Sequence, residues 1–242
     1  MVPVAVLLEV IAASVEDAVA AEAGGAGRLE LVTAIDQDGL TPDLRLVERV
    51  KRAVRIPVYV MIRMRGGDFV YSPEEVRAMQ AQARSAREAG ADGIVTGVLR
   101  PDRSVDIEAT HEIVAAAGLP ATFHRAVDAS RDIQESVRKL GSIPLVERVL
   151  TSGGRKNAYE GIPVIARLCR TSPVEVMPGA GVTLENVGEI IRRTGARSVH
   201  VGSAAREPQR STAPVSVERV VALRRTLDAV AQATQSSPSD WP

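Results

Sequence analysis

The chain has 242 residues, and 30 Lys and Arg balance 30 Asp and Glu, so its formal net charge is zero. Hydrophobic residues make up 45% and aromatics only 2%, which confines the core to aliphatic packing and excludes the basic, aromatic-interleaved surface of a nucleic-acid binder. No apolar run approaches the roughly 20 residues of a membrane span, and the single cysteine, Cys169, allows neither an internal disulfide nor a thiol-rich metal site.

The first apolar segment, Val2 to Leu8, lacks a basic n-region and a cleavage site and is interrupted by Glu9. It reads as the start of a buried strand in a cytoplasmic protein. That strand is expected over Val4 to Ile11, with a helix capped by Ser14 and ended by Gly24-Gly25. A second strand spans Arg28 to Thr33, and its helix starts at about Pro42, a residue suited to a first helical turn. The third strand, Pro57 to Arg63, leads into the loop Arg65-Gly66-Gly67-Asp68-Phe69. Ser72-Pro73-Glu74-Glu75 then opens a helix closed by Gly90. Strand four covers Gly93 to Val98, with a helix over Asp106 to Ala117. Strands five to eight are expected at Ala121 to Arg125, Glu147 to Thr151, Val174 to Met177 and Ser198 to Val201. Helices start near Arg131, Asn157 and Thr183, and a last one runs from Val215 to Ala233.

Short β-branched runs alternating with helical segments are the sequence form of βα units. Eight of them without a break in composition predict a single-domain α/β protein, a (β/α)8 TIM barrel over residues 1–233, followed by a Ser/Pro-rich frayed tail at 234–242. An open doubly wound sheet uses the same units, but no G-x-G-x-x-G follows the first strand, and eight strands suit closure.

Such barrels place their sites at the C-terminal ends of the strands. Polar residues that interrupt apolar strands there are Glu9, Glu30, Arg63, Thr96, His124, Arg125, Thr151 and His200. Glu9 and Glu30 on neighbouring strands, with Arg63 on the next, fit either an ion-pair network filling the barrel mouth or an acid/base pair with Arg63 gripping an anion. His124, with Arg125 beside it and Asp128 beyond, is the densest cluster and suits general acid/base work at neutral pH. His200 fits site or core equally, and His111 lies in a helical pattern. Two glycine turns follow the last strands: Pro178-Gly179-Ala180-Gly181, and Gly202-Ser203-Ala204. Loops there bind phosphate through backbone N–H groups in this fold. Arg65 to Asp68 and Thr151-Ser152-Gly153-Gly154 are further loops of the same character.

Several stretches together resemble the CutC family, known as copper homeostasis proteins. They are Leu8-Glu9-Val10, Arg28-Leu29-Glu30-Leu31, Gly39-Leu40-Thr41-Pro42, Val60-Met61-Ile62-Arg63, Arg65-Gly66-Gly67-Asp68-Phe69 and Gly90-Ala91-Asp92-Gly93. Further on come Thr122-Phe123-His124-Arg125-Ala126, Val149-Leu150-Thr151-Ser152-Gly153-Gly154 and Met177-Pro178-Gly179. The resemblance spans about residues 6 to 205. It implies a (β/α)8 barrel and a homodimer, and it supports the strand-end polar residues as the site. Members of that family often carry cysteines, put forward as copper ligands, after the first strand's Glu-Val and the second strand's Glu-Leu. Here those positions are Ile11 and Val32, and an aliphatic side chain cannot ligate the soft copper(I) ion. Met64 and Ala180 replace a usual proline and glycine.

Two functions follow. In the first, a small anionic metabolite, phosphorylated ones included, is held by Arg63, Arg65, Asp68, Arg125, Asp128, Thr151, Ser152, His200 and the turns at Gly179, Gly181, Gly202 and Ser203. His124, Glu9 and Glu30 move protons in an isomerase- or lyase-type reaction. No metal ligand set and no cofactor is predicted, and neither nucleic acid nor membrane is an expected partner. In the second, the protein binds or carries copper(I), as the resemblance implies. A non-catalytic dimeric scaffold is the third and blandest reading.

Overall fold

The architecture follows from alternation: each strand has one face that must be covered from outside and one that must fill the interior. A computed structural model describes residues 5–236, the last three by backbone only. The elements are β1 (Leu7–Ala12), α1 (Val15–Ala23), β2 (Arg28–Leu31), α2 (Leu44–Ala53), β3 (Val58–Met61), α3 (Pro73–Glu88), β4 (Gly93–Thr96) and α4 (Ile107–Ala117). They continue with β5 (Ala121–Phe123), α5 (Ile133–Leu140), β6 (Val146–Thr151), α6 (Ile162–Thr171), β7 (Glu175–Pro178), α7 (Val187–Thr194), β8 (Ser198–Val201) and α8 (Val217–Ser236). All strand pairs are parallel, in the ladder order β7-β6-β5-β4-β3-β2-β1-β8. The two end strands come together at a seam, where Ser198 Oγ donates to Glu175. This is the expected (β/α)8 barrel, nearly closed.

Local sequence explains the helix starts. Ser14 accepts from Asp17 N at the head of α1. Ser72 and Glu75 form a reciprocal capping box that starts α3, with Pro73 in its first turn. Before α2 the expected role of Pro42 is corrected: Asp43 caps the helix, and Pro42 precedes the cap. The strands β2, β3, β4 and β5 each stop two residues short of their expected ends. At β5 the cause is visible. His124 leaves the ladder to cap a 3-10 turn over Arg125–Ala129, so Arg125 belongs to that turn and not to the strand. β1 pairs from Leu7, opposite Ser198, and Val4 lies outside the described residues. α8 continues to Ser236, three residues beyond its expected end, and 237–242, with Trp241, lie outside the described residues.

Outward-facing Leu8, Val10, Leu29, Leu31, Val58, Val60 and Ile62 join the main core between strands and helices. Each such side chain contributes roughly 1.5–3 kcal/mol when fully buried. Inside the barrel the apolar cluster is small, formed by Val32, Tyr59, Met61 and Val95. β4 and the residue after it make room there with glycine: a Cβ on Gly93 would lie 2.5 Å from the Tyr59 ring, and one on Gly97 2.7 Å from His124 Nδ1. The same interior also holds the buried ionisable groups Glu9, Arg28, Glu30 and His200.

Candidate functional site

The C-terminal ends of the strands enclose a cavity of about 680 Å3. Its floor on the β1–β2–β8 side is built by register. Glu9 lies opposite both Arg28 and His200 in the two ladders, and period-two alternation puts Arg28 and Glu30 on the same face. Glu9 is fully buried; one oxygen accepts from Arg28 Nε at 2.5 Å and the other meets His200 Nδ1 at 2.7 Å. Burial alone would raise its pKa, but the Arg28 charge and the His200 contact outweigh it and hold the carboxyl at about 2. His200 Nε2 faces Glu30 Oε2 at 3.6 Å. Burial works against a charged His200, yet Glu30 and Glu9 together raise its pKa above the usual value. Burial pushes Glu30 up to about 7, with the negative Glu9 adding to it and His200 and Arg28 opposing. A carboxyl poised near neutrality beside a held imidazole is suited to accepting and returning protons.

The opposite wall uses similar residues differently. Arg63 Nη1 donates to Gln37 O and Gly39 O, and Nη2 to Gly67 O, so three carbonyls of the β2–α2 and β3–α3 loops occupy it. The bidentate grip expected of Arg63 is therefore spent on the protein's own backbone; its Nε is buried without a partner. His124 Nδ1 accepts from Ala126 N at 3.2 Å. Burial, reinforced by the positive Arg63 and Arg125, pushes its pKa down to about 3, so the ring is neutral at pH 7. Asp128 gathers the β6 loop, accepting from Thr151 Oγ1, from the N–H groups of Ser152 and Gly154, and from Ser152 Oγ. Arg125 Nε donates to Asp128 as well, at 2.9 Å, while its side chain stays 43% exposed and lines the cavity.

Glu30, Arg63, His124, Arg125, Asp128, Gly181, His200, Gly202 and Ser203 are thus brought together around one cavity. Glu9 supports it from below. Thr151 and Ser152 are buried behind it in the Asp128 clamp. Gly179 lies outside the lining; a Cβ there would meet Leu150 at 2.4 Å and His200 at 3.3 Å. Arg65 and Asp68 also lie outside it. Arg65 pairs with Glu75 at 2.6 Å and with Asp68 at 3.1 Å, and stacks on Tyr71, bracing the loop that carries Phe69. Sequence reasoning passed over Arg28, although alternation from Glu30 signals it, and Arg155, a rim cation directly after Gly153-Gly154. It also passed over the apolar wall of Ile35, Met61, Phe69, Leu150 and Val182, which carries no signal before folding. Ile11 and Val32 belong to that wall. Among the described residues no group of three or more His, Cys, Asp or Glu is arranged to hold a metal ion.

The profile of the CutC family matches residues 6–205. The chain belongs to the CutC family. A copper homeostasis protein cutC homolog from Mus musculus is 45% identical over 197 residues, covering 80% of this chain and 72% of the relative. A family protein CutC from Xylella fastidiosa is 46% identical over 202 residues, covering 81% and 74%. The CutC crystal structure from Streptococcus agalactiae superimposes with a TM-score of 0.76 at 31% identity, covering 81% of this chain and 97% of that one. The match takes in both walls of the cavity, from Glu9 to Ser203. Within this CutC chain, Ile11 and Val32 make the cavity wall aliphatic at the two places where the family's cysteines are expected.

Proposed function

We propose that this CutC-family barrel binds a small anionic metabolite, phosphorylated ones included, in its mouth and acts on it by acid/base chemistry. The observation that carries the reading is Glu30: a buried carboxyl on the cavity floor, one oxygen unpartnered, beside a histidine that Glu9 holds in place. Arg125 and Arg155 at the rim supply positive charge for the anion. The turns at Ala180-Gly181-Val182 and Gly202-Ser203 bring backbone to the same cavity, where N–H groups suit phosphate oxygens. Glu30 takes and returns the proton, and His200 and Glu9 position it.

Copper, named in relatives as copper homeostasis, is the second reading, and the donor set fits copper(I) poorly. Met61 is the only sulfur among the described residues lining the mouth. Both nitrogens of His200 face carboxylates. Cys169 borders a separate cleft with Glu175 and Arg197 at the opposite end of the barrel, its thiol pushed up to about 12 by burial. Copper(I) prefers thiolate and thioether donors.

The test is a thermal-shift screen with inorganic phosphate, 2-phosphoglycolate and sugar phosphates, beside a copper(I) titration against a chelator. A native-state ligand at a hundredfold excess over Kd stabilises by about 2.7 kcal/mol, or roughly 5–10 °C in a domain of this size. At least one anion is expected to reach that shift, and R125A/R155A to weaken it tenfold or more. Chelator-resistant copper(I) binding with no anion shift would replace this reading with the other.

A further inference from the structure

Three buried polar atoms on residues lining the cavity have no hydrogen-bond partner: Glu30 Oε1, Arg63 Nε and His124 Nε2. Leaving such atoms unsatisfied is costly, and three on residues around one cavity call for a partner that the chain itself does not supply there. Their chemistry is complementary. Glu30 Oε1 is an acceptor. Arg63 Nε is always a donor. The Ala126 N–H occupies His124 Nδ1, so the ring proton sits on Nε2, which is a donor too. With β2 carrying the acceptor and the segments just beyond β3 and β5 the donors, a ligand between them meets a base on one side and two N–H groups on the other.

That arrangement limits the reaction. A guanidinium does not release its proton, and a neutral imidazole is a very weak acid. The donor wall can therefore receive negative charge but is ill-suited to protonating a leaving group. We propose that the site catalyses reversible proton abstraction from the carbon next to a carbonyl or carboxylate of its anionic ligand, with Glu30 as base and Arg63 and His124 as donors to the oxygen. The inference rests on the anion-site reading above and adds the reaction class to it. The C–H electron pair becomes a C=C bond, and the carbonyl π pair moves onto oxygen. Glu30 holds the proton, the two N–H groups stabilise the oxyanion, and return of the proton to carbon restores the balance without a co-reactant. A neutral histidine donor opposite a glutamate base is a known way of arranging such chemistry. Phe69 covers both donors, its ring 5.0 Å from the His124 ring and 5.1 Å from the Arg63 guanidinium carbon.

The experiment is deuterium wash-in followed by proton NMR in D2O, on three- to six-carbon aldose and ketose phosphates and 2-oxo acids, each first scored for binding by thermal shift. Wild type is expected to exchange the C–H of at least one bound probe. E30Q should lose about 100-fold or more, and H124Q about 100-fold. If E30Q fails to fold, E30D takes its place, with a smaller loss expected from the shorter reach. Probes that bind wild type but exchange no faster than in buffer, or exchange that survives E30Q, would overturn the proposal and leave the anion site standing. Failure of every probe to bind would overturn both.

Discussion

His124 and His200 both lie near the C-terminal ends of barrel strands, both are almost fully buried, and both line the same cavity. Yet burial and neighbouring guanidinium groups drive the His124 pKa down to about 3, while two carboxylates raise that of His200. Desolvation disfavours the charged form at both sites, so the difference comes from which partners the strands deliver. β8 lies against β1, whose Glu9 meets the His200 ring directly. β5 delivers His124 to a backbone N–H and leaves it facing arginines. The first histidine is a neutral ring held by a backbone N–H, and the second lies between two carboxylates that favour its charged form.

The largest expected effect tests the charged side. R28M removes the guanidinium held at 2.5 Å from Glu9 and stacked 4.5 Å from the Tyr59 ring centre. Breaking one half of a buried pair costs about 3–5 kcal/mol, which is roughly 6–20 °C in melting temperature. A loss below about 1 kcal/mol would show that Glu9 does not need its partner, and the contrast would fail.

The next effect separates the walls by pH. Glu30 binds its proton more tightly in the folded state, at about 7 against 4.5 in the unfolded chain, with Glu9, Arg28 and His200 facing it. Between those values the native state holds more protons, so Glu30's contribution to stability is present below pH 4.5 and lost as pH rises through 7. His124 runs the other way. Its folded value of about 3 lies below the unfolded 6.5, so the unfolded chain holds more protons in that window, and stability is lost as pH falls from 6.5 toward 3. Urea midpoints between pH 4 and 8 should therefore show E30Q gaining on wild type as pH rises, and H124Q gaining as pH falls. Parallel curves for the two variants would dissolve the distinction. His111 supplies the smallest effect: it is exposed on α4, and H111Q is expected to change stability by no more than about 0.5 kcal/mol.

Much of the frame was legible before folding. Alternating β-branched and helical segments marked all eight units, and Ser14 and Ser72 announced their helices because capping is a local interaction. Polar residues at apolar strand ends pointed to Glu30, His124 and His200 for the same reason: an isolated ionisable group is costly in an aliphatic layer unless something there engages it. The roles were less legible. Arg63 and Asp128 look like ligand-binding residues in the sequence. In the fold, Arg63 is largely occupied by loop carbonyls and Asp128 by the β6 loop. Arg206, unremarkable in the sequence, is buried against Asp17 and the carbonyls of Ile11 and Ala213, tying the segment before α8 to the head of α1.

By itself, the sequence determined the barrel and the end at which polar residues gather. These rest on period, caps and composition, which act within a few residues along the chain. Only the tertiary structure decided that Glu9 sits between Arg28 and His200, that Glu30 keeps one oxygen free, and that His124 is neutral while His200 is paired. Those outcomes depend on parallel register between strands as far apart in sequence as β1 and β8, and on the low dielectric that closure creates around them.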